Sequence, residues 1–496
     1  MASLIILAFI DITGRVGNAS KLKFQAIITT TMNGVVFNFH TELPCLAAIT
    51  GRFLAQRLDY HFRLSNSLRA AKLHSKNQPN TAGLTNGKNL AFNSHYDAVV
   101  IGGGIQGVGC AQALAAKGFS VLLLEKNSLG SGTSSRSSKL IHGGLRYLET
   151  AQISLVRKSL NERAVLCKVA PNLVKLKSFY LPIYRSQRVG PIKMAAGLAL
   201  YALLGNLRRD ARFSYVPKSK WSSLGGIKQQ DLICVYHYFD AQTDDRQLTQ
   251  LVAQSASKLG ATIVEDATFH QADRNTLGTI DIEFSCTTQA THETNLNAST
   301  SHKVTASVVV NAAGPWVEQV QSKITYAGSG PNIALVQGTH IELDAPLNDG
   351  IFYIESPIDK RAVFVMPWQG HTMVGTTESQ HTGDPGSPLA SDVEVDYLHK
   401  TLLHYFPNYT GKLIKRWAGL RVLPQPEEHA ASTNRPFSRQ ARDTIVHTDN
   451  AQRPQAISLY GGKLTAYRVT ANDVLMEALK TLGPGSASID TKTLPL

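Results

Sequence analysis

Residues 96–149 read YDAVVIGGGIQGVGCAQALAAKGFSVLLLEKNSLGSGTSSRSSKLIHGGLRYLE. Asp97–Ile101 is a short apolar run of the kind that makes a buried parallel strand. Gly102, Gly104 and Gly107 then give GxGxxG, Ile105–Lys117 reads as a helix, and a second apolar strand, Ser120–Leu124, ends in Glu125. In such a βαβ unit Gly102 permits the tight turn, Gly104 lets backbone approach a pyrophosphate, and Gly107 lets the helix pack on the strand. The helix N-terminus offers free N–H groups to phosphate. Glu125 is placed to accept hydrogen bonds from ribose hydroxyls. A lone GxGxxG is weak evidence, but here strand, helix, second strand and terminal acid agree. The spacing by itself does not separate NAD from FAD.

The next segment, Gly130–Glu149, brings Ser131, Thr133, Ser134, Ser135, Ser137 and Ser138, then HGGLRYLE from His142. Its hydroxyls and amides suit an extended cofactor. The string TSSRSSKLIHGGLRYLE closely resembles the FAD-dependent glycerol-3-phosphate dehydrogenases, of the D-amino-acid-oxidase-like flavoprotein superfamily. The resemblance runs from about Tyr96 to about Leu482. It recurs in order as Asp244-Asp245-Arg246, NAAGPWV (Asn311–Val317), VQGTHIEL (Val336–Leu343), VFVMPW…VGTTE (Val363–Glu378), GLRVLP (Gly419–Pro424) and YGGKLTAYR (Tyr460–Arg468).

What the resemblance implies is a Rossmann-like α/β FAD-binding domain with an interleaved antiparallel-sheet (α+β) substrate domain. FAD is expected on Gly102, Gly104, Gly107, Glu125, Lys126, Thr133, Ser134 and Ser135, then on His142, Gly143, Gly144 and Leu145. Ala313 and Gly314 bring small residues close to it, and Gly461, Gly462, Lys463, Leu464 and Thr465 complete the set. The Gly461-Gly462 turn is expected to lead into a helix Lys463–Leu482 whose N-terminus stabilises negative charge at the pyrimidine end of the flavin.

The chain of 496 residues carries 50 Lys+Arg against 36 Asp+Glu, a net charge of +14. That balance suits an anionic partner, a phosphorylated substrate, an acidic membrane surface or nucleic acid, although it also serves solubility. The five cysteines, Cys45, Cys110, Cys167, Cys234 and Cys286, show no CxxC, which argues against a disulfide framework or a metal site and for a reducing compartment.

Along the chain, 1–95 reads as a basic, poorly ordered extension with few acids. Its composition is also that of a mitochondrial transit peptide, but Leu4–Ile10 is apolar rather than amphipathic and basic. Residues 96–185 form the first part of the FAD domain, 186–240 a substrate or membrane-contact segment, and 241–320 the second part. Residues 321–415 form the substrate domain, 416–482 the last part of the FAD domain, and 483–496 a tail. Ile153–Ala170, Asp244–Leu259 and Asp392–Phe406 read as helices. Thr287–Ser301 is a polar hairpin tip. The apolar run Met194–Leu204, bracketed by Arg188, Lys193, Arg208 and Arg209, is too short to span a bilayer; it suits either the headgroup region or an ordinary buried helix. Longer members of the resembled family continue with a further helical domain, and the reading expects a short form without it.

Oxidising a carbinol needs an anchor for the substrate anion, a base for the hydroxyl proton and stabilisation of the reduced flavin. Arg146, Arg421, Arg442 and Lys463 match substrate- or phosphate-binding positions of the resembled family, and arginine's fork fits phosphate. Tyr147 adds a hydroxyl. His340 is the expected base, with His142 as its rival. Catalytic roles therefore fall to His340, Arg421 and Lys463.

The reading that results is FAD-dependent oxidation of sn-glycerol 3-phosphate to dihydroxyacetone phosphate, with electrons passing to quinone. The alternative is an oxidase of the same fold acting on an amine, amino acid or 2-hydroxy acid with oxygen. A basic nucleic-acid-binding flavoprotein is a third reading, but no RNA-recognition motif supports it, so no nucleic acid is expected. The expected location is the cytoplasm or the cytoplasmic face of a bacterial inner membrane, or the mitochondrion if the extension is a transit peptide.

Overall fold

The computed structural model describes residues 4–7, 24–32, 35–43, 91–288, 298–347, 350–425 and 444–496. The chain divides into two units, 1–81 and 82–496. In the first, strands Leu4–Leu7, Phe24–Met32 and Val35–Leu43 pair antiparallel in one sheet. The rest of the expected extension up to residue 90 lies outside the described residues.

The second unit is built on two sheets. The first has eight strands, with Thr262–Val264, Val121–Leu124, His95–Ile101 and Ala298–Asn311 side by side and parallel. Ala298–Asn311 is long enough to serve two partners. Its first part pairs antiparallel with Ile280–Thr288, and its last residues pair parallel with both His95–Ile101 and Ala456–Tyr460. The central segments Ala98–Ile101, Val121–Leu124 and Val308–Val310 are apolar and buried because both faces are covered there. Helices Ile105–Ala115, Asp245–Lys258 and Tyr467–Leu482 pack on one face, where Val108, Leu114, Leu248, Val252 and Val474 are fully buried. The approach is close because Ile105–Ala115 is made of small residues: a Cβ on Gly109 would lie 2.7 Å from the Tyr467 ring. Asp244 caps its helix by accepting from the Gln247 amide, as its acidic start implied.

The second sheet has ten strands. Its alternation sorts side chains to two faces. Phe352, Val363, Val365, Val374 and Ile341 point to one face, against Leu398 and Leu402 of helix Asp392–Tyr405, which opens with a Ser391–Glu394 capping box. Tyr353, Phe364, Met366 and Met373 point to the other, with helices Ile153–Val169 and Pro191–Leu204. Two expected boundaries shift. Strands Lys175–Tyr184 and Leu413–Pro424, assigned by sequence wholly or largely to the cofactor domain, both pair within this second sheet.

Met194–Leu204 lies in helix Pro191–Leu204, which is buried on one side only. Leu198, Tyr201 and Ala202 face inward, whereas Ile192 is 88%, Leu203 60% and the following Leu207 53% exposed. Of the four bracketing cations, Arg188 pairs with Glu149 at 2.7 Å, and Arg208 pairs with Asp210 and donates to the Leu160 carbonyl. Lys193 and Arg209 are exposed. Among the described residues no helix is long and apolar enough to cross a membrane.

Candidate active site

A cavity of about 820 Å³ runs from the GxGxxG loop to the second sheet. At its first end Gly102 has φ +108°, and a Cβ there would meet the Ala312 carbonyl oxygen at 2.7 Å. A Cβ on Gly107 would lie 1.9 Å from the Gly102 carbonyl oxygen, so Gly107 serves helix packing and does not line the cavity. Gly104 caps the helix in an extended conformation without a side-chain cap bond. The Ile105 amide donates to Ser134 Oγ at 2.9 Å, and Glu125 Oε2 accepts from the Gly103 amide at 2.6 Å. Burial pushes the Glu125 carboxyl above its ordinary range, against the two amides that favour its charged form. Lys126 Nζ stands 3.8 Å from the centroid of the Trp316 ring. Glycine backbone, helix N-terminus and terminal acid thus form a cradle that fits a dinucleotide pyrophosphate and ribose, and a side chain at 104 would intrude on it.

Most of the expected cofactor residues line this one cavity: Gly102, Gly104, Glu125, Lys126, Thr133, Ser134, His142, Gly144, Leu145, Ala313, Gly314 and 461–465. Besides Gly107, two turn away from it. The Ser135 hydroxyl donates to the Ser131 and Gly132 carbonyls of its own turn, and the Gly143 amide is bound by Tyr201 and Asp240. A third difference concerns Lys463. The last helix starts at Tyr467, not Lys463, because Gly461 (φ +90°) and Gly462 (φ +130°) prolong the turn and the Ala466 amide bonds back to the Lys463 carbonyl. The amides near Lys463 therefore belong to a turn. Gln106, which the sequence reading missed, holds that turn by donating to the Lys463 carbonyl at 3.2 Å.

At the second end Arg146, Tyr147, His340, Arg421 and Lys463 come together. Lys463 Nζ is 4.1 Å from the Tyr147 ring centroid, and Arg421 Nη2 donates to Thr376 Oγ1 at 3.1 Å. Arg442 lies outside the described residues. Among the described residues the acids that line the cavity are Glu125, at the far end, and Asp240, whose carboxylate is held by Arg163 at 2.6 Å. The second end is therefore cationic, which suits an anion.

His340 is 2% exposed. Its ring stacks on Trp417 with centroids 5.5 Å apart, and its Nε2 is 2.9 Å from Ser138 Oγ. Burial foremost, then Arg421 and Lys139, bring its pKa down to about 3, so the ring is neutral. His142 sits in the glycine turn, where its amide donates to Thr465 Oγ1. Ser138, expected beside the cofactor, also lines this end, as do Tyr353, Phe364 and Thr376, which were not singled out from sequence. Tyr353 and Phe364 arrive by strand pairing, and Thr376 follows directly on strand His371–Gly375. The one available signal was their place inside or beside the recurrent blocks.

The family model for FAD-dependent oxidoreductases (DAO) matches residues 97–468. The aerobic glycerol-3-phosphate dehydrogenase of Staphylococcus aureus (strain MRSA252) is 33% identical over 401 residues, covering 78% of this chain and 67% of that protein. Among solved structures, the glycerol-3-phosphate dehydrogenase of Bacillus halodurans complexed with FAD superimposes with a TM-score of 0.62 at 25% identity, over 82% of this chain and 68% of that one. Glycine oxidase from Geobacillus kaustophilus superimposes with a TM-score of 0.58 at 17% identity, over 82% and 99%, a likeness of fold alone.

Proposed function

Because the chain belongs to the DAO family of FAD-dependent oxidoreductases, we propose that it oxidises sn-glycerol 3-phosphate to dihydroxyacetone phosphate. FAD, when bound, supplies the hydride acceptor. The observation that carries the reading is the cationic end of the cavity: Arg146, Arg421 and Lys463 line the same space as the glycine loop and His340. A phosphate anchored by arginine forks is held bidentately, which fixes the carbinol at one place. His340, neutral and buried, is free to take up the hydroxyl proton through Ser138. Tyr147 and Lys463 pack together at the same end, and Lys463 would lend positive charge to stabilise a reduced cofactor held in the cavity.

Quinone is the acceptor in this reading, reached at a membrane surface. The half-exposed helix Pro191–Leu204, with Ile192, Leu203 and Leu207 outward and Lys193 and Arg209 beside them, supports peripheral contact with anionic lipid. The experiment is direct. Purified protein is made anaerobic and mixed with glycerol 3-phosphate, and the flavin spectrum is followed. Bleaching at micromolar to millimolar substrate is expected; an unbleached flavin that an amine or 2-hydroxy acid reduces instead overturns the assignment.

A further inference from the structure

His340, Gly338 and Val336 share one face of strand Ile333–Leu343, and the register sets them opposite Trp417, Gly419 and Arg421 of strand Leu413–Pro424. Position 338 has no side chain, and Arg421 occupies the space one would need. A Cβ on Gly338 would lie 2.4 Å from Arg421 Nη2 and 2.6 Å from Thr376 Oγ1. The guanidinium thus leans along the sheet from its own row toward the row of His340, to about one two-residue step, roughly 7 Å, from that residue. A second glycine fixes the histidine: a Cβ on Gly375, its partner in the next strand, would lie 2.1 Å from the imidazole Cδ2. With Trp417 stacked on the ring and Ser138 on Nε2, His340 has little freedom to turn away from Arg421.

The charged groups that act on this ring are Arg421 from one neighbouring strand and Lys139 from the segment that carries Ser138. Lys415 lies beyond, 5.7 Å from the Trp417 ring centroid. Lys139 is held inside the protein by Asp245 at 2.5 Å and does not line the cavity. Arg421 does line it, so of the cations acting on the ring it is the one an incoming anion reaches.

We propose that the substrate's phosphate, on settling against Arg421, makes His340 a stronger proton acceptor, so that the group read for binding also sets the rate of proton removal. The inference rests on the reading of glycerol 3-phosphate as substrate. A dianion beside the guanidinium offsets the field that opposes a charge on the ring, and the proton affinity of His340 rises. The carbinol O–H bond then breaks, its proton passing to Ser138 Oγ while the Ser138 proton passes to His340 Nε2. FAD, when bound, would supply the two-electron acceptor for the hydride that leaves as the C–H bond breaks and the carbonyl forms. An alcohol without the phosphate meets the weaker base. Part of the phosphate's interaction is then expressed in the chemical step and not in binding alone.

The test uses FAD-loaded protein labelled with ¹⁵N-histidine, in which His340→Gln identifies the His340 signals. Inorganic phosphate added at neutral pH is expected to move the His340 Nε2 shift toward that of a more strongly hydrogen-bonded ring. Arg421→Met should show the shifted signal without phosphate and no further change with it. In parallel, inorganic phosphate should speed anaerobic flavin bleaching by plain glycerol at least about tenfold in the wild type, with no such gain in Arg421→Met. If glycerol 3-phosphate bleaches the flavin but phosphate moves neither the His340 signal nor the glycerol rate, the substrate assignment stands and this inference falls. If glycerol 3-phosphate does not bleach the flavin, the substrate assignment falls, and this inference with it.

Discussion

The Tyr201 hydroxyl accepts the Gly143 amide hydrogen at 2.9 Å and donates to the Asp240 carboxylate. Through this pair the half-exposed helix Pro191–Leu204 is fastened to the HGGLRY loop, which places Arg146 and Tyr147 at the cavity. Gly143 is tied down because a Cβ there would lie 2.3 Å from the hydroxyl. Behind them Arg163, fully buried, donates to Asp240 at 2.6 Å and pairs with Asp210 at 2.5 Å. Tyr201→Phe leaves the ring packed and removes one buried donor, which should cost about 1–3 kcal/mol of stability. Arg163→Met strands Asp240 as an uncompensated buried charge, at about 3–5 kcal/mol. Thermal or urea unfolding of the two variants should rank them in that order; equal, small losses would show that the network is not the fastening described.

The dinucleotide cradle makes a separate prediction. Gly104 has Ser134 Oγ as its neighbour, 3.2 Å from where a Cβ would stand, and the pyrophosphate needs the space beyond. Gly104→Val should therefore yield a folded, colourless protein. Gly102→Ala combines φ +108° with a 2.7 Å clash against the Ala312 carbonyl, so it should lower both flavin content and stability. Absorbance at the flavin band against protein concentration reads both. A yellow Gly104→Val protein with normal flavin content would remove this loop from the cofactor site.

These two cases mark what the sequence made legible. The βαβ unit is local: its strand, three glycines, helix and Glu125 lie within thirty residues, and each imposes its own backbone requirement, so periodicity and spacing suffice. The arrangement around His340 is not local. Gly338 and Gly375 are glycines because Arg421 and His340 fill the space of their side chains, a relation created by cross-strand register between segments far apart in sequence. Tyr353 reaches the cavity in the same way, from strand Ile351–Glu355. The start of the last helix was misplaced for a different reason: two consecutive glycines with positive φ extend a turn, and nothing in Lys463–Ala466 marks where it ends. Helix Asp245–Lys258, by contrast, carried its own Asp244 cap and was placed within one residue.

Contact with lipid should depend on the outward face of helix Pro191–Leu204. Ile192, Leu203 and Leu207 are exposed, and Arg188 and Arg208 are engaged with Glu149 and Asp210, which leaves Lys193 and Arg209 as the cations beside the apolar face. Replacing Ile192, Leu203 and Leu207 together by Ser removes only exposed apolar surface, so folding should be little changed. Flotation with vesicles rich in anionic phospholipid should fall severalfold, and Lys193→Gln with Arg209→Gln should make the remainder more sensitive to salt. Undiminished flotation of the triple variant would move the contact elsewhere on the molecule.

His340 should make the fold sensitive to acid. Its pKa is near 3 in the folded protein and near 6.5 in the unfolded chain, so between those values the unfolded chain binds the extra proton. Stability contributed by the neutral ring is complete above pH 6.5 and is lost progressively as pH falls toward 3. From pH 6.5 to 5 the loss from this one group is about 2 kcal/mol. The His340→Gln variant cannot titrate there. Its unfolding midpoint should fall less over that interval than the wild type's, whatever their difference at neutral pH. Parallel curves would mean that the ring becomes solvated or protonated without unfolding.

The cationic end of the cavity should discriminate by charge. Arg421 reaches it over Gly338, steadied by Thr376, and an anion bound there would be largely removed from water. Losing a charge-assisted contact in such a place costs about 2–5 kcal/mol, roughly one and a half to four decades in kcat/KM. Arg421→Leu should retain FAD, because the dinucleotide cradle at the other end is untouched, yet lose glycerol 3-phosphate turnover by that factor. Its loss on glycerol should be far smaller, since an uncharged alcohol makes no ionic contact and His340 is relieved of the cation that holds its basicity down. Arg146→Leu should also lose selectivity for phosphate, without changing the environment of His340. The measurement is kcat/KM for both substrates in both variants. Equal losses on the two substrates would make Arg421 a structural support, and no loss on either would place the phosphate elsewhere.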